Sequence, residues 1–343
     1  MTRGRRYVDE DDVRVRARGG SRPRTRTRPK HEDAVEGFVT AVDRGRYRCL
    51  VGDRPVVAMK ARELGRGSIV VGDRVALVGD LSGRPDTLAR VVRVEERASV
   101  LRRTADDTDP VERVIVANAD QLVIVCALAD PEPQPRFIDR CLVAAYDAGL
   151  DPLLCLTKAD LADPDELLEA YSALHLRSVV TRRDGDLGPL LDRLSGRVSV
   201  LVGSSGVGKS TLVNLLVPAA ERAVGHVNPV TGRGRHTSTS AVALPVEGGW
   251  IVDTPGVRSF GLAHISPDDV VAGFPELDDA VAECPPGCPH TAGTPGCALD
   301  AWLADGRLDP ARVSSLRRLL SSREGDERPM PSSPSPPSSE TAS

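Results

Sequence analysis

Apolar residues recur along this chain in two different patterns. From about 34 to 98 they come in short alternating runs: Glu36-Gly-Phe-Val-Thr-Ala-Val42, Arg46–Val51, Arg54–Met59, Ser68–Val78 and Thr87–Val94. Successive side chains of a strand face opposite ways, so each run predicts a strand with one buried face. Five such strands in sequence predict a small closed barrel of the OB type. From about 121 the runs become unbroken. Stretches near 121–128, 152–157, 177–181, 197–202, 240–245 and 249–253 predict strands, and stretches near 135–148, 164–175, 186–195 and 209–217 predict helices between them. Strand and helix in alternation predict a mostly parallel sheet of six strands. Glu247-Gly-Gly249 joins the last two as a hairpin, so one pair is antiparallel.

After 264 the strands stop. Ser266-Pro-Asp-Asp269 is an N-cap with proline in the first turn. Asp309-Pro310 opens a second helix with Val313, Leu316, Leu319 and Leu320 on one face. The expected fold is multidomain α/β. It comprises a basic arm (1–33), an OB-type barrel (34–98), an α/β domain (99–263), a small helical domain (264–324) and a Ser/Pro-rich tail (325–343). No internal repeat is present.

The strand at 197–202 runs into Gly203-Ser204-Ser205-Gly206-Val207-Gly208-Lys209-Ser210-Thr211, which opens a helix. This strand, GxxxxGK[ST], helix order is the context a phosphate-binding loop requires. Its glycines let backbone N–H groups face phosphates, and the helix N-terminus adds partial positive charge. Lys209 would reach the β and γ phosphates and Ser210 would ligate Mg²⁺. The alternative is a chance glycine-rich turn, against which both flanks speak. The chain uses arginine for charge and has lysine only at 30, 60, 158 and 209. Lys209 and Lys158 are thus compact point charges kept where a nucleotide would need them.

Thr157-Lys158-Ala159-Asp160 ends the strand at 152–157. The Asp160 carboxylate can accept hydrogen bonds from guanine N1–H and the 2-amino group, donors that adenine lacks. Asn is usual at the position of Thr157; the hydroxyl stays and the amide is lost. Alone, TKxD is an ordinary strand end. Beside the phosphate loop it reads as a guanine loop, with a contact to guanine O6 expected near Val180-Thr181. Ordinary GTPases carry the guanine loop after the phosphate loop. Here it comes first, which a circular permutation explains.

A polar segment, Val227–Ser240, follows the phosphate-loop helix and has the composition of a first switch. Thr237 to Thr239 offer hydroxyls for Mg²⁺ and the γ-phosphate, and Thr237 is included among the candidate nucleotide ligands. Asp253-Thr-Pro-Gly256 ends the last strand. Asp253 can hold Mg²⁺ through water and the Gly256 N–H can meet the γ-phosphate. Val257 occupies the place where many GTPases orient water with Gln, so another group must do so. His236 is the candidate, able to accept or donate a proton near neutral pH; the alternative is a histidine that only shapes the loop.

Of seven cysteines, those at 49, 126, 141 and 155 stand singly in apolar runs as core residues. Cys284, Cys288 and Cys297 cluster with His290. Three thiolates and an imidazole make a closed tetrahedral site suited to structural Zn²⁺, with no open position for catalysis. A disulfide would leave one cysteine over. No hydrophobic leader or membrane span is evident, so a cytoplasmic location without a membrane partner is expected. Net charge is −4, yet residues 14–30 hold eight basic residues and no acidic one. Nucleic-acid contact, if any, therefore rests on local patches, with a solvated tail as the alternative. The barrel's only aromatics are Phe38 and Tyr47, so phosphate or shape contacts should outweigh base stacking.

Barrel, permuted GTPase and Cys-Cys-His-Cys cluster together resemble the ribosome-small-subunit-dependent GTPase A family (RsgA, also called YjeQ). The resemblance spans about 34–323. It rests on Gly203–Thr211, Thr157–Asp160, Asp253–Gly256, Gly234-Arg-His-Thr237, the cysteine–histidine quartet, Asn118-Ala-Asp120 and Ile138-Asp139-Arg140. It implies GTP and GDP as ligands, Mg²⁺, one structural Zn²⁺, and a monomer that binds the small ribosomal subunit and its rRNA late in maturation and leaves after hydrolysis. Family members commonly carry Thr at position 157. Their cluster has four residues between the first two cysteines and five between His and the last Cys; here there are three and six. Two other classes compete: a P-loop ATPase or small-molecule kinase, against which Asp160 argues, and a zinc- and RNA-binding module with a vestigial nucleotide site, against which Lys209, Ser210 and Asp253 argue.

Overall fold

The computed structural model describes residues 31–64, 69–104, 111–218, 241–254, 261–262 and 264–323. The alternating runs form β1 (Val35–Asp43), β2 (Arg46–Val51), β3 (Arg54–Lys60), β4 (Arg74–Gly79) and β5 (Ala89–Val94). Their order is β1-β2-β3-β5-β4, and β4 pairs back onto β1 to close the barrel. Only β3–β5 is parallel among these pairs. Val39, Cys49, Val56, Ala58, Val75, Leu77 and Val91 fill the interior. β4 is shorter than its apolar run. At 70–73 the chain turns instead, because the buried Asp73 carboxylate accepts from the Val70 N–H at 2.8 Å and from Arg97 Nε at 2.7 Å.

A hairpin then follows, β6 (Val100–Arg103) with β7 (Arg113–Ala117). The sequence pattern did not predict it: both strands are short, and β6 is half arginine. Behind it, β8 (Gln121–Ala127), α1 (Pro135–Asp147), β9 (Asp151–Thr157), α2 (Asp165–Ser172), β10 (Arg177–Val180), α3 (Gly188–Leu194), β11 (Val198–Val202), α4 (Lys209–Leu216), β12 (Val242–Val246) and β13 (Gly249–Asp253) match the expected elements. The sheet order is β10-β9-β8-β11-β13-β12, parallel except for β12 against β13. Its central strands, β8 and β11, are mostly apolar because helices cover both faces. Every residue of β8 is buried.

Barrel and sheet are joined directly. β12 pairs with β1 at Ala41–Val242, and Phe38 packs on Trp250 with ring centroids 5.2 Å apart. At the other contact, Gly72 has φ 91° and lies so close to Ala117 that a Cβ would sit 1.9 Å from its carbonyl oxygen. Only glycine fits there. Asn118 locks this joint, accepting from the Ala98 N–H at 2.8 Å and donating to Gly72 O at 2.9 Å.

The C-terminal part is helical: α5 (Pro267–Val271), α6 (Asp278–Ala282), α7 (Ala298–Ala304) and α8 (Pro310–Arg323). Ser266 caps α5 in a reciprocal capping box with Asp269, as its sequence predicts. Val313, Leu316, Leu319 and Leu320 of α8 are buried, and the helix packs against α1. Phe274 is fully buried between the Tyr146 ring and the Arg312 guanidinium. Arg140 donates to Ser322 O at 2.7 Å, and Arg318 reaches Asp139 at 3.2 Å and Ala170 O at 3.2 Å. These helices are therefore fastened to α1 and α2, the half that precedes the phosphate loop. The four single cysteines 49, 126, 141 and 155 are buried, as expected of core residues. Among the described residues no helix is long and apolar enough to cross a membrane.

Candidate nucleotide site and metal centre

β11 delivers the chain to Gly203 with no room for a side chain: a Cβ there would lie 2.7 Å from Val125 O on β8. Gly206 and Gly208 take φ of 85° and 90°. Gly208 is the N-cap of α4, and no side chain caps that helix. Its first N–H groups are thus left for an anion, at the end where the helix dipole is positive. Val207 is buried and anchors the loop, while Ser205, Ser210 and Thr211 are exposed at its mouth. Lys209 is ion-paired with Asp253 and lies 3.5 Å from Thr254 O. Thr254, which no motif singles out, donates to Leu201 O at 2.7 Å and so ties the end of β13 to β11. Lys209 and Asp253, two of the groups expected to meet the phosphates and Mg²⁺, thus come together at the C-terminal ends of β11 and β13.

The predicted guanine loop lies beside them. β9 ends at Thr157, which is buried and donates its hydroxyl to Val207 O at 2.6 Å. A Cβ on Gly208 would be 3.7 Å from the Thr157 hydroxyl oxygen. Lys158 takes φ 60° and donates to Asp130 O. The Ala159 N–H donates to Thr181 O at 3.2 Å, which leaves Asp160 exposed just past the turn. Thr181 is buried, and its own N–H and hydroxyl both go to Leu156 O, at 2.7 and 3.1 Å. Neither Thr181 donor is thus left for the guanine O6 contact expected near Val180-Thr181. Two loops about fifty residues apart in reversed order are in direct contact. His236, Thr237 and Gly256 lie outside the described residues.

Cys284, Cys288, His290 and Cys297 also converge, with their four ligand atoms within 4.8 Å of one another. His290 is buried, and its Nδ1 has no hydrogen-bond partner. Burial lowers its pKa, which favours the neutral ring that a metal needs. Burial raises the Cys288 thiol, as do the neighbouring cysteines. The Cys284 sulfur accepts from the Ala298 N–H at 3.3 Å, and Arg317 donates to His290 O at 3.2 Å. A buried imidazole converging with three sulfurs is the donor set that suits zinc. The altered spacing within the cluster has not kept the four groups apart.

Asp120 and Asp139 are structural in this geometry. Asp120 accepts from the Val198 N–H at 2.7 Å. Asp139 accepts from the Tyr171 hydroxyl at 3.0 Å and faces Arg318. Sequence reasoning marked Asp139-Arg140 by resemblance alone; nothing in the pattern pointed to Tyr171 or Arg318 as their partners.

Comparison with known proteins agrees with this architecture. A family model described as RsgA GTPase matches residues 94–263. A protein of Ectopseudomonas mendocina named small ribosomal subunit biogenesis GTPase RsgA is 45% identical over 223 residues, 62% of this chain and 64% of its own length. The chain thus spans a little under two thirds of that relative. The protein of the same name in Pseudomonas aeruginosa is 41% identical over 265 residues, 74% of this chain and 76% of that one. Among solved structures, YjeQ from Thermotoga maritima aligns with a TM-score of 0.61 at 26% identity, covering 85% of this chain and 99% of that one. YloQ, described as a circularly permuted GTPase, has the same fold, with a TM-score of 0.62 at 22% identity over 87% and 98% of the two chains. With 41% identity spread over 74% of its length and 76% of the relative's, this chain belongs to the RsgA GTPase family.

Proposed function

We propose that this protein is a GTPase that binds the small ribosomal subunit, assists its late maturation and leaves after hydrolysing GTP to GDP and phosphate. The observation that carries the reading is the direct bond from the Thr157 hydroxyl to Val207 O. It sets a loop ending in a guanine-type carboxylate against a phosphate loop.

In this reading the backbone from Gly203 to Thr211 cradles the phosphates and Asp160 reads the base. Lys209 exchanges its contact with Asp253 for the β and γ phosphates, and Asp253 is then free to hold the metal's water. Ser210 and Thr237 supply hydroxyls to the metal and the γ-phosphate, and the Gly256 N–H meets the γ-phosphate. Mg²⁺, when bound, neutralises charge developing on the β- and γ-oxygens. His236 orients the attacking water, since Val257 cannot. With no water-orienting glutamine, turnover is slow until the subunit stimulates it.

The two barrel aromatics are engaged internally: Tyr47 is buried and Phe38 packs on Trp250. This supports rRNA contact through phosphate and shape, with the basic arm at 14–30 as a second contact. Cys284, Cys288, His290 and Cys297 hold one structural zinc and thereby order helices too short to fold alone. The protein works as a cytoplasmic monomer, organised as the arm, barrel, GTPase, zinc and tail segments bounded at 33, 98, 263 and 324. The switch reaches its neighbours by two routes: β13, which carries Asp253, pairs with β12 and so with β1 of the barrel, and the chain beyond Gly256 leads to the helices fastened on α1. Multiple-turnover GTP hydrolysis with and without small subunits tests the reading. Strong stimulation by the subunit is expected. Full activity of the protein alone, or no GTP hydrolysis in either condition, would overturn it.

A further inference from the structure

We infer that this GTPase does not read N7 of the guanine base, and that Thr157 is a positioning residue for the phosphate loop rather than a base ligand. The inference rests on the nucleotide reading above and sharpens its specificity.

N7 of guanine is a hydrogen-bond acceptor, so recognising it takes a donor. An asparagine at the head of a guanine loop has two N–H donors, enough for one protein carbonyl and one base atom. A threonine hydroxyl has a single proton. In this structure that proton is directed inward. Thr157 Oγ1 is 2.6 Å from Val207 O and 3.4 Å from Cys126 O, both carbonyl acceptors. The side chain is buried against Gly208. Turning the proton toward a base would leave the buried Val207 carbonyl without it.

Of the loop's other donors, the Ala159 N–H goes to Thr181 O, and Lys158 turns its ammonium toward Asp130 O. The exposed Asp160 carboxylate accepts and cannot donate. Discrimination then falls on N1–H and the 2-amino group, and the imidazole side of the purine goes unread. Thr157 acts through Val207, at the apex of the phosphate loop, so its loss is felt by the phosphates and not by the base.

Equilibrium binding of GDP and 7-deaza-GDP to the full chain tests this, with Thr157→Val, Thr157→Ser and Thr157→Asn alongside. A net hydrogen bond is worth roughly threefold to tenfold in affinity. The wild-type protein should bind the two nucleotides within about twofold of each other. Thr157→Val should weaken both by the same factor, and Thr157→Ser, which keeps the hydroxyl, should restore both. Thr157→Asn should bind GDP better than 7-deaza-GDP. A wild-type preference for GDP of about fivefold or more would overturn the inference while leaving the GTPase reading intact. Failure of wild-type protein to bind GDP at all would overturn both.

Discussion

Truncating Phe274 to alanine tests whether the C-terminal helices share a core with the GTPase sheet. The ring is fully buried. It meets the Tyr146 ring edge-on at 6.1 Å and 70°, and the Arg312 guanidinium lies 4.3 Å above it. Emptying a buried Phe site costs about 3–5 kcal/mol. The aromatic pair adds about 0.5–1.5 kcal/mol to what burial alone gives. The cation–π contact is worth about 0.5–1 kcal/mol. Arg312 stays held by Glu276 and by Ala173 O at 3.1 Å, so the neighbourhood collapses poorly and the cost belongs at the upper end of the range. About 5 kcal/mol at 2–4 °C each lowers Tm by roughly 10–20 °C. Differential scanning calorimetry would show it, with Met59→Ala as the control, since that side chain is 40% exposed on the barrel. Hydrogen exchange should quicken in α8 and in α1 together. A Tm shift no larger than the control's, or faster exchange in α8 alone, would refute a shared core.

Two further outcomes follow from the same region. Burial pushes Asp139 up to about 6, against the pull of Arg318 and the Tyr171 hydroxyl. A native value above the unfolded one means the native state holds the extra proton between about pH 4 and 6. Stability should therefore fall as pH rises through that window, and Asp139→Asn should flatten the slope in a pH series of denaturant unfolding curves. Cys297→Ser removes one of four converging donors, so the wild-type protein should carry about one zinc by elemental analysis and the variant far less. The variant's loss of helix signal should be confined to the C-terminal segment, with the sheet retained.

The central sheet was legible because its strands are buried on both faces. A run such as Leu122–Ala127 offers water no strongly polar side chain. Helix ends were legible where a cap had local chemistry, as at Ser266. The phosphate and guanine loops were legible because their glycines and charges sit at fixed offsets, and their reversed order told which fold joins them. The β6–β7 hairpin was not, since its stability comes from neighbours: Val116 bridges to Val71 of the barrel, and Thr104 to Gly261. The β1–β12 junction joins residues about two hundred apart through backbone groups, which every sequence possesses. Arg318 looks like any solvated helix arginine until α8 is laid on α1. The bond from Thr157 to Val207 O was not legible, because its acceptor is a backbone atom with no signature of its own.

The account stands on one pocket assembled from loops in swapped order, with Asp160 facing the base. Measuring GTP and XTP affinity for Asp160→Asn against wild type probes that pocket directly. Asparagine keeps one acceptor and loses the other, so losing one of two hydrogen bonds to a charged acceptor should weaken GTP roughly 10- to 150-fold, and the amide should now accept xanthine. Unchanged GTP affinity in a variant that still folds would contradict the account.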